Sequence, residues 1–243
     1  SNPFSGQLFD GEILHATGLG TNVPLSKLNG GRPFVLLDAC EETPTVDAVN
    51  FPNEEAERAA MQHLIDRGCR NIAIVGHRFA PRADLAHAQN AFALRLRGAC
   101  GALSDAGLPY DESMVFEAGD VANGIIAGHA IAERILAARS GHGGTEFDGA
   151  CCANDFAAFG VIRGLADRGL RVPQDVKVIG FDGVTSGSYT TPALSTIQVD
   201  LTQLAKFSVD MLSERIDHGT DEALPPRRAI IGYQLVDRES TAV

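Results

Sequence analysis

The chain has 243 residues, 44% of them hydrophobic, and a formal net charge of −11 at pH 7. This length allows one large or two small domains with a sizeable core, and no apolar run reaches the roughly 20 residues of a membrane-spanning helix. The acidic balance argues against these residues gripping nucleic acid by themselves. Glu12–His15 reads as a brief strand and Val23–Leu28 as a short helix. Phe34–Leu37 is a strongly apolar strand ending in Asp38, and Val46–Phe51 is another strand. Asn53 is placed to cap a helix that turns Ala56, Ala59, Ala60 and Leu64 inward and stops at Gly68. Asn71–Val75 is a strand, His77–Asp84 a polar loop, and Leu85–Ala106 a long helix holding Arg95 and Arg97. Met114–Glu117 is a strand, Gly124–Ala138 a helix, and 140–147 a Gly-rich loop.

The stretch from Ala150 to Gly183 is the centre of the chain. Ala150–Ala153 is an apolar strand ending in Asn154-Asp155. Phe156, Phe159, Val161, Ile162, Leu165 and Ala166 then recur at helical spacing, with Gly169 at the position of a left-handed cap and Pro173 blocking a restart. Val176–Phe181 is a second apolar strand, ending in Asp182. Ser195–Val199 is a short strand, Leu201–Ile216 an amphipathic helix and Arg228–Val236 a closing strand. Strands and helices alternate throughout, which predicts a doubly wound α/β architecture with parallel sheets.

Asp38, Asn154 and Asp182 all fall at strand ends. Each is open to two readings: a cap for the element that follows, or a ligand contact, since open parallel sheets bind ligands beyond the carboxyl ends of their strands. Acidic and amide side chains suit polyhydroxylated ligands, whose hydroxyls donate and accept. Arg95 and Arg97 lie two positions apart and cannot share a helical face, so at most one enters a cleft. The seven histidines form no HExxH pair, no GxSxG elbow or P-loop is present, and Gly141–Gly144 follows a helix rather than a strand. No catalytic set, cofactor or metal is expected. Cys40, Cys69, Cys100, Cys151 and Cys152 show no metal spacing, and an odd count with two adjacent in an apolar strand predicts reduced thiols in a cytoplasmic protein.

The central stretch resembles the effector-binding core of the LacI (lactose repressor) family of transcription regulators. The residues that carry the resemblance are Ala153-Asn154-Asp155 with Ala158 and Gly160, Gly169, Val172-Pro173, Asp175-Val176 and Val178-Ile179-Gly180-Phe181-Asp182. It continues through Thr191-Pro192-Ala193-Leu194-Ser195-Thr196-Ile197 and ends in Asp237-Arg238-Glu239-Ser240. Upstream, Asp10-Gly11, Pro33–Asp38 and His63-Leu64-Ile65 with Gly68 and Ile72 are similar to further family motifs, so the resemblance covers nearly the whole chain.

This resemblance implies a type I periplasmic-binding-protein-like fold of two doubly wound parallel-sheet lobes with crossover strands and a small molecule held between them. By analogy the N-terminal lobe holds 1–51 plus 198–226, and the C-terminal lobe 52–197 plus 227–243. Position by position, Asp38, Arg95, Asn154 and Asp182 match the family's effector contacts. The family's aromatic platform falls near Val121, which leaves Phe79 as the substitute ring. The family's helix-turn-helix headpiece has no counterpart here, so this stretch would sense an effector but reach operator DNA only through a missing headpiece. Asn2-Pro3-Phe4 resembles the family's "NPFF", yet Phe9-Asp10-Gly11 follows almost at once, so residues are expected to be missing between Leu8 and Phe9.

The function these features imply is effector sensing in a cytoplasmic, homodimeric LacI-family regulator, with no membrane partner. The effector class is a sugar, a sugar acid or a nucleoside-like molecule. The alternatives are a periplasmic solute-binding protein for sugar uptake and an α/β enzyme acting on a nucleotide or sugar.

Overall fold

The computed structural model describes residues 9–16, 32–41, 43–117, 124–140, 147–218 and 224–242. The expected helix Val23–Leu28, the junction after Leu8, Val121 and the glycines at 141–144 lie outside them. The chain forms two compact units. One comprises Ser1–Pro52, Gln89–Ala91 and Asp200–Gly232; the other comprises Asn53–Ala88, Phe92–Val199 and Tyr233–Val243.

The first unit carries a four-stranded parallel sheet: β1 (Glu12–His15), β2 (Phe34–Leu37), β3 (Ala48–Asn50) and β9 (Arg228–Ile230), side by side in that order. Val35, Ala48 and Val49 are almost wholly buried, as the apolar runs require. Helix α6 (Leu201–Asp217) covers this sheet. It begins where the Asp200 side chain accepts a hydrogen bond from Gln203 N at 2.9 Å, satisfying one of the N–H groups that a helix start leaves unpaired. The expected closing strand 228–236 is two strands. Ile231 and Gly232 interrupt it, and β9 pairs with β3 while β10 (Tyr233–Val236) pairs antiparallel with β8 (Ser195–Val199). The division expected after 226 thus falls after Gly232, and Gln198 and Val199 belong to the second unit.

The second unit is a six-stranded sheet in the order β10, β8, β7 (Lys177–Asp182), β6 (Gly149–Cys152), β4 (Ile72–Val75), β5 (Val115–Phe116). All neighbours are parallel except β10. Strands β4, β6 and β7 are buried along almost their whole length, as expected of a sheet covered on both faces. The expected helix 85–106 is interrupted: α2 (Arg82–Leu85) is a single turn and α3 (Ala91–Asp105) starts later. Helices α4 (Gly124–Ser140) and α5 (Asp155–Ala166) cross closely. A Cβ on Gly128 would overlap the carbonyl oxygen of Ala157, and one on Gly160 that of Ile125, so only glycine permits this approach. Phe147, Phe181, Leu64, Ile72, Ile74 and Leu165 are fully buried here, each contributing about 1.5–3 kcal/mol.

Chain order places β5 outside β4 and then returns to β6 on the other side of β4. The strand order therefore reverses between β4 and β6. In open α/β sheets, this reversal point at the carboxyl ends is where ligands bind.

Candidate functional site

In the second unit the carboxyl ends of β4, β6 and β7 deliver His77, Asn154 and Asp182 to one face of the sheet. Helix α1 (Asn53–Asp66) precedes β4, and α3 follows the β4 turn, so both start at this same face. Gly98 in α3 packs so tightly on α1 that a Cβ there would overlap the Glu54 carbonyl oxygen. This close approach sets Arg95, one turn earlier, against the start of α1.

Arg95 is only 9% exposed. Its Nε donates to Asn53 Oδ1 at 2.8 Å and its Nη1 to the Ala153 carbonyl at 2.6 Å. Its guanidinium lies over the buried Phe181 ring. The side chain expected to cap α1, that of Asn53, thus serves to hold the arginine. Arg97 turns the other way, pairing with Glu54 at 2.5 Å. Of the two arginines, only Arg95 enters the interior.

Asp182 ends β7 with φ of 116°. Among the described residues, it and Asp38 (φ 58°) are the two non-glycine residues with positive φ. Such backbone costs about 1–3 kcal/mol and concentrates at functional sites. Burial pushes the Asp182 carboxyl up to about 7; Arg95 pulls against this, and Asp155 and Glu57 reinforce it.

Asn154 caps α5, its Oδ1 accepting from Ala157 N at 2.8 Å. The capping reading is therefore correct for its oxygen, while the amide nitrogen is not used in that bond. Asp155 is fully buried, and its carboxylate accepts from Val184 N at 2.7 Å and Thr196 Oγ1 at 2.6 Å. It ties α5 to the loop after β7 and to β8. Phe79 stacks on Tyr110 with ring centroids 5.5 Å apart, so that face of its ring is taken.

Two side chains outside the expected set lie behind this face. Glu57 of α1 and His77 after β4 are 0% and 1% exposed. Glu57 Oε1 lies 3.4 Å from Cys151 Sγ and 3.7 Å from His77 Nε2, the latter an ion-pair separation too long for a hydrogen bond. Glu57 Oε2 and both ring nitrogens of His77 have no hydrogen-bond partner. Phe92, 46% exposed, packs edge-on to His77 at 6.0 Å and is a second aromatic ring near the carboxyl-end face.

In the first unit Asp38 ends β2. Its Oδ1 accepts from Phe51 N at 3.4 Å, and beside it Asn50 Nδ2 donates to the Ala39 carbonyl at 2.7 Å. The carboxylate braces the ends of β2 and β3 and stands at the carboxyl end of its own sheet.

Residues 61–241 match the family described as "Periplasmic binding protein-like domain". The chain is similar over 98% of its length to the solved structure of a LacI-type transcription regulator from Bifidobacterium animalis subsp. lactis, with 31% identity, a TM-score of 0.81 and 81% of that chain covered. The chain belongs to the LacI family. It is also similar to the regulator CelR solved as its cellobiose complex, at 28% identity and a TM-score of 0.80 over 97% of this chain and 67% of that one. Among curated relatives, the "HTH-type transcriptional repressor PurR" of Aliivibrio fischeri (strain MJ11) is 29% identical over 208 residues, covering 85% of this chain and 58% of that protein. The LacI-family chain thus spans little more than half of that repressor. These relatives are transcription regulators rather than enzymes.

Within this LacI-family chain, Arg95 and Asp182 come together in the second unit, with Asn154 just past the end of β6, the strand between β4 and β7. Glu57 and His77 were missed by the sequence reading. The signal that could have found Glu57 is its place on the inward stripe with Asn53, Ala60 and Leu64. Among the described residues no group of three or more His, Cys, Asp or Glu side chains is arranged to hold a metal, and no helix is long and apolar enough to cross a membrane. Each of the five cysteines is a thiol rather than half of a disulfide.

Proposed function

We propose that this chain is the effector-sensing part of a DNA-binding transcription regulator, taking a small sugar-like molecule at the carboxyl-end face around Asp182. The observation that carries this reading is the Asp182 carboxylate: it is held at a strained strand end, next to an arginine fixed by Asn53 and Ala153. A side chain kept there at an energetic cost serves a bound group rather than packing. Support for a sugar comes from CelR, which was solved with cellobiose. Asn154 Nδ2 supplies a donor, Asp182 an acceptor and Phe92 an apolar ring, the mixture a sugar's hydroxyls and ring face require.

The effector acts on operator binding only through its different affinities for the DNA-bound and DNA-free states. Operator contacts come from a headpiece outside these residues, the assembly is a homodimer, and the protein works in the cytoplasm. The acidic character of this chain fits a division of labour in which the phosphate contacts are made elsewhere.

A thermal-shift screen of the chain against pentoses, hexoses, disaccharides, sugar acids and nucleosides tests the reading. A sugar that raises Tm saturably in the wild type, and loses that effect in Asp182→Ala, is the expected result. Undiminished stabilisation of Asp182→Ala would remove Asp182 from the site.

A further inference from the structure

The carboxyl-end face carries more acid than a sugar needs. The charged groups that act on Asp182 are Arg95 from α3, Asp155 from α5 and Glu57 from α1. His77 stands beside Glu57, 3.7 Å from it. Of the cations, Arg238 acts on Asp155, and Asp182 has the Arg95 guanidinium. Two of that guanidinium's N–H groups already donate to Asn53 and Ala153. Asp155 is satisfied by Val184 and Thr196, whereas Glu57 is not: it is fully buried, and Oε2 has no partner.

Glu57 has no packing role that an apolar residue would not fill better. A buried carboxylate is expensive unless bonded, and its contacts are a weak thiol donor and an imidazole beyond hydrogen-bond reach. What it does supply is negative charge that acts on the Asp182 carboxyl, from a helix packed on β6 and β7, in an interior where charges act strongly.

We propose that Glu57 is a specificity-determining residue of this face, making it accept uncharged or cationic hydrogen-bond donors and reject anions. This rests on the sugar reading and sharpens it: the effector is a neutral sugar or an amino sugar, not a sugar acid or sugar phosphate. The N-termini of α1, α3 and α5, which end here, would otherwise draw an anion. Glu57, on the second turn of α1, opposes that attraction from within. Glu57 acts through Asp182 and the local potential rather than by touching the effector, since none of its surface is exposed.

Two measurements test the proposal. The first needs no effector: the Asp182 carboxyl is titrated by carbon NMR in wild type and Glu57→Gln, with Asp182→Asn to identify the signal. The expected result is a lower midpoint in Glu57→Gln; an unchanged midpoint overturns the proposal. The second measures thermal shifts of the wild type with matched series of a neutral sugar, its 2-amino form and its uronate or 6-phosphate. The neutral and amino forms are expected to bind at least about tenfold more tightly than the anionic form, and this preference to shrink at least about threefold in Glu57→Gln. An anionic form binding the wild type as well as its neutral parent overturns the proposal even if the variant fails to fold. Should no sugar of any charge shift Tm, the sugar reading falls, and the Asp182 titration alone decides the role of Glu57.

Discussion

The guanidinium carbon of Arg95 stands 3.6 Å from the centroid of the Phe181 ring, which is fully buried. A cation held face-on to a desolvated ring gains about 2 kcal/mol. Phe181→Leu keeps the position apolar but removes the ring, and should lower stability in urea by about 1–3 kcal/mol. Arg95→Lys keeps the charge but not the planar fork that reaches both Asn53 and Ala153. It should cost about as much, because an abandoned buried acceptor costs about 1–3 kcal/mol. Equal urea midpoints for wild type and Arg95→Lys would show that the fork holds nothing.

The ionisation of Asp182 makes stability fall as pH rises. Its carboxyl sits at about 7 in the folded chain because of burial, which Arg95 only partly offsets, against about 3.9 unfolded. The folded state therefore holds the proton more tightly. The group's contribution is complete below about pH 4, declines as pH rises towards 7 and is gone above it. Asp182→Asn does not ionise. Its stability relative to wild type should rise between about pH 4 and 7 by a few kcal/mol, then level off. Urea denaturation at several pH values checks this, and a flat difference would mean that Asp182 is well solvated.

Asp47 shows the opposite sign. It is 2% exposed, and Arg215 donates to it from Nε at 2.9 Å and Nη2 at 3.0 Å, while Arg227 donates from its backbone N at 2.8 Å. Burial alone would raise its carboxyl, but the bonds from the two arginines outweigh it and hold it below the usual range. Its stabilisation is therefore present above about pH 4 and lost on acidification. Asp47→Ala removes the carboxylate that both arginines share, leaving Arg227 its pair with Glu214 and Arg215 the Leu224 and Pro225 carbonyls, and should cost about 1–3 kcal/mol. Arg227 is the more exposed partner, so Arg227→Ala should cost less than Arg215→Ala. Urea midpoints rank the three variants.

The α4–α5 crossing predicts a steric effect without chemistry. Gly160→Ala should lower stability by about 1–3 kcal/mol or more, since the obstacle is backbone rather than a side chain that can swing aside. Gly169→Ala tests the alternative that any glycine-to-alanine change in this region is costly. Its φ is 76° but nothing lies near its missing Cβ, so it should show only the milder backbone penalty. Thermal unfolding of the two variants separates overlap from backbone strain.

The parallel strands were legible because they are short apolar runs closed by polar residues, and α5 because its apolar residues recur at helical spacing between Asn154 and Gly169. Arg95 was legible only through the family resemblance. Periodicity alone could not choose between it and Arg97, and the choice depends on α3 approaching α1 at Gly98. Glu57 was hidden by its neighbours: Glu54 and Glu55 make the first turn of α1 look like a solvated acidic start, and composition cannot show that one glutamate of three turns inward. The closing strand was misread as one piece because Ile230-Ile231 continues the apolar run. Only the hydrogen bonds, to β3 before Gly232 and to β8 after it, show where the strand divides.

The first sheet takes β1, β2 and β3 from the start of the chain and β9 from near residue 230, with α6 arriving just before it. A ribosome that has just added Val199 has made every parallel strand of the second sheet, but neither Arg215 nor Arg227. Until translation passes Arg215, Asp47 lacks both of its arginine donors, and until β9 follows, β3 remains an open edge. The unit whose strands emerge first is therefore the one completed last, and during synthesis it is the part most in need of protection.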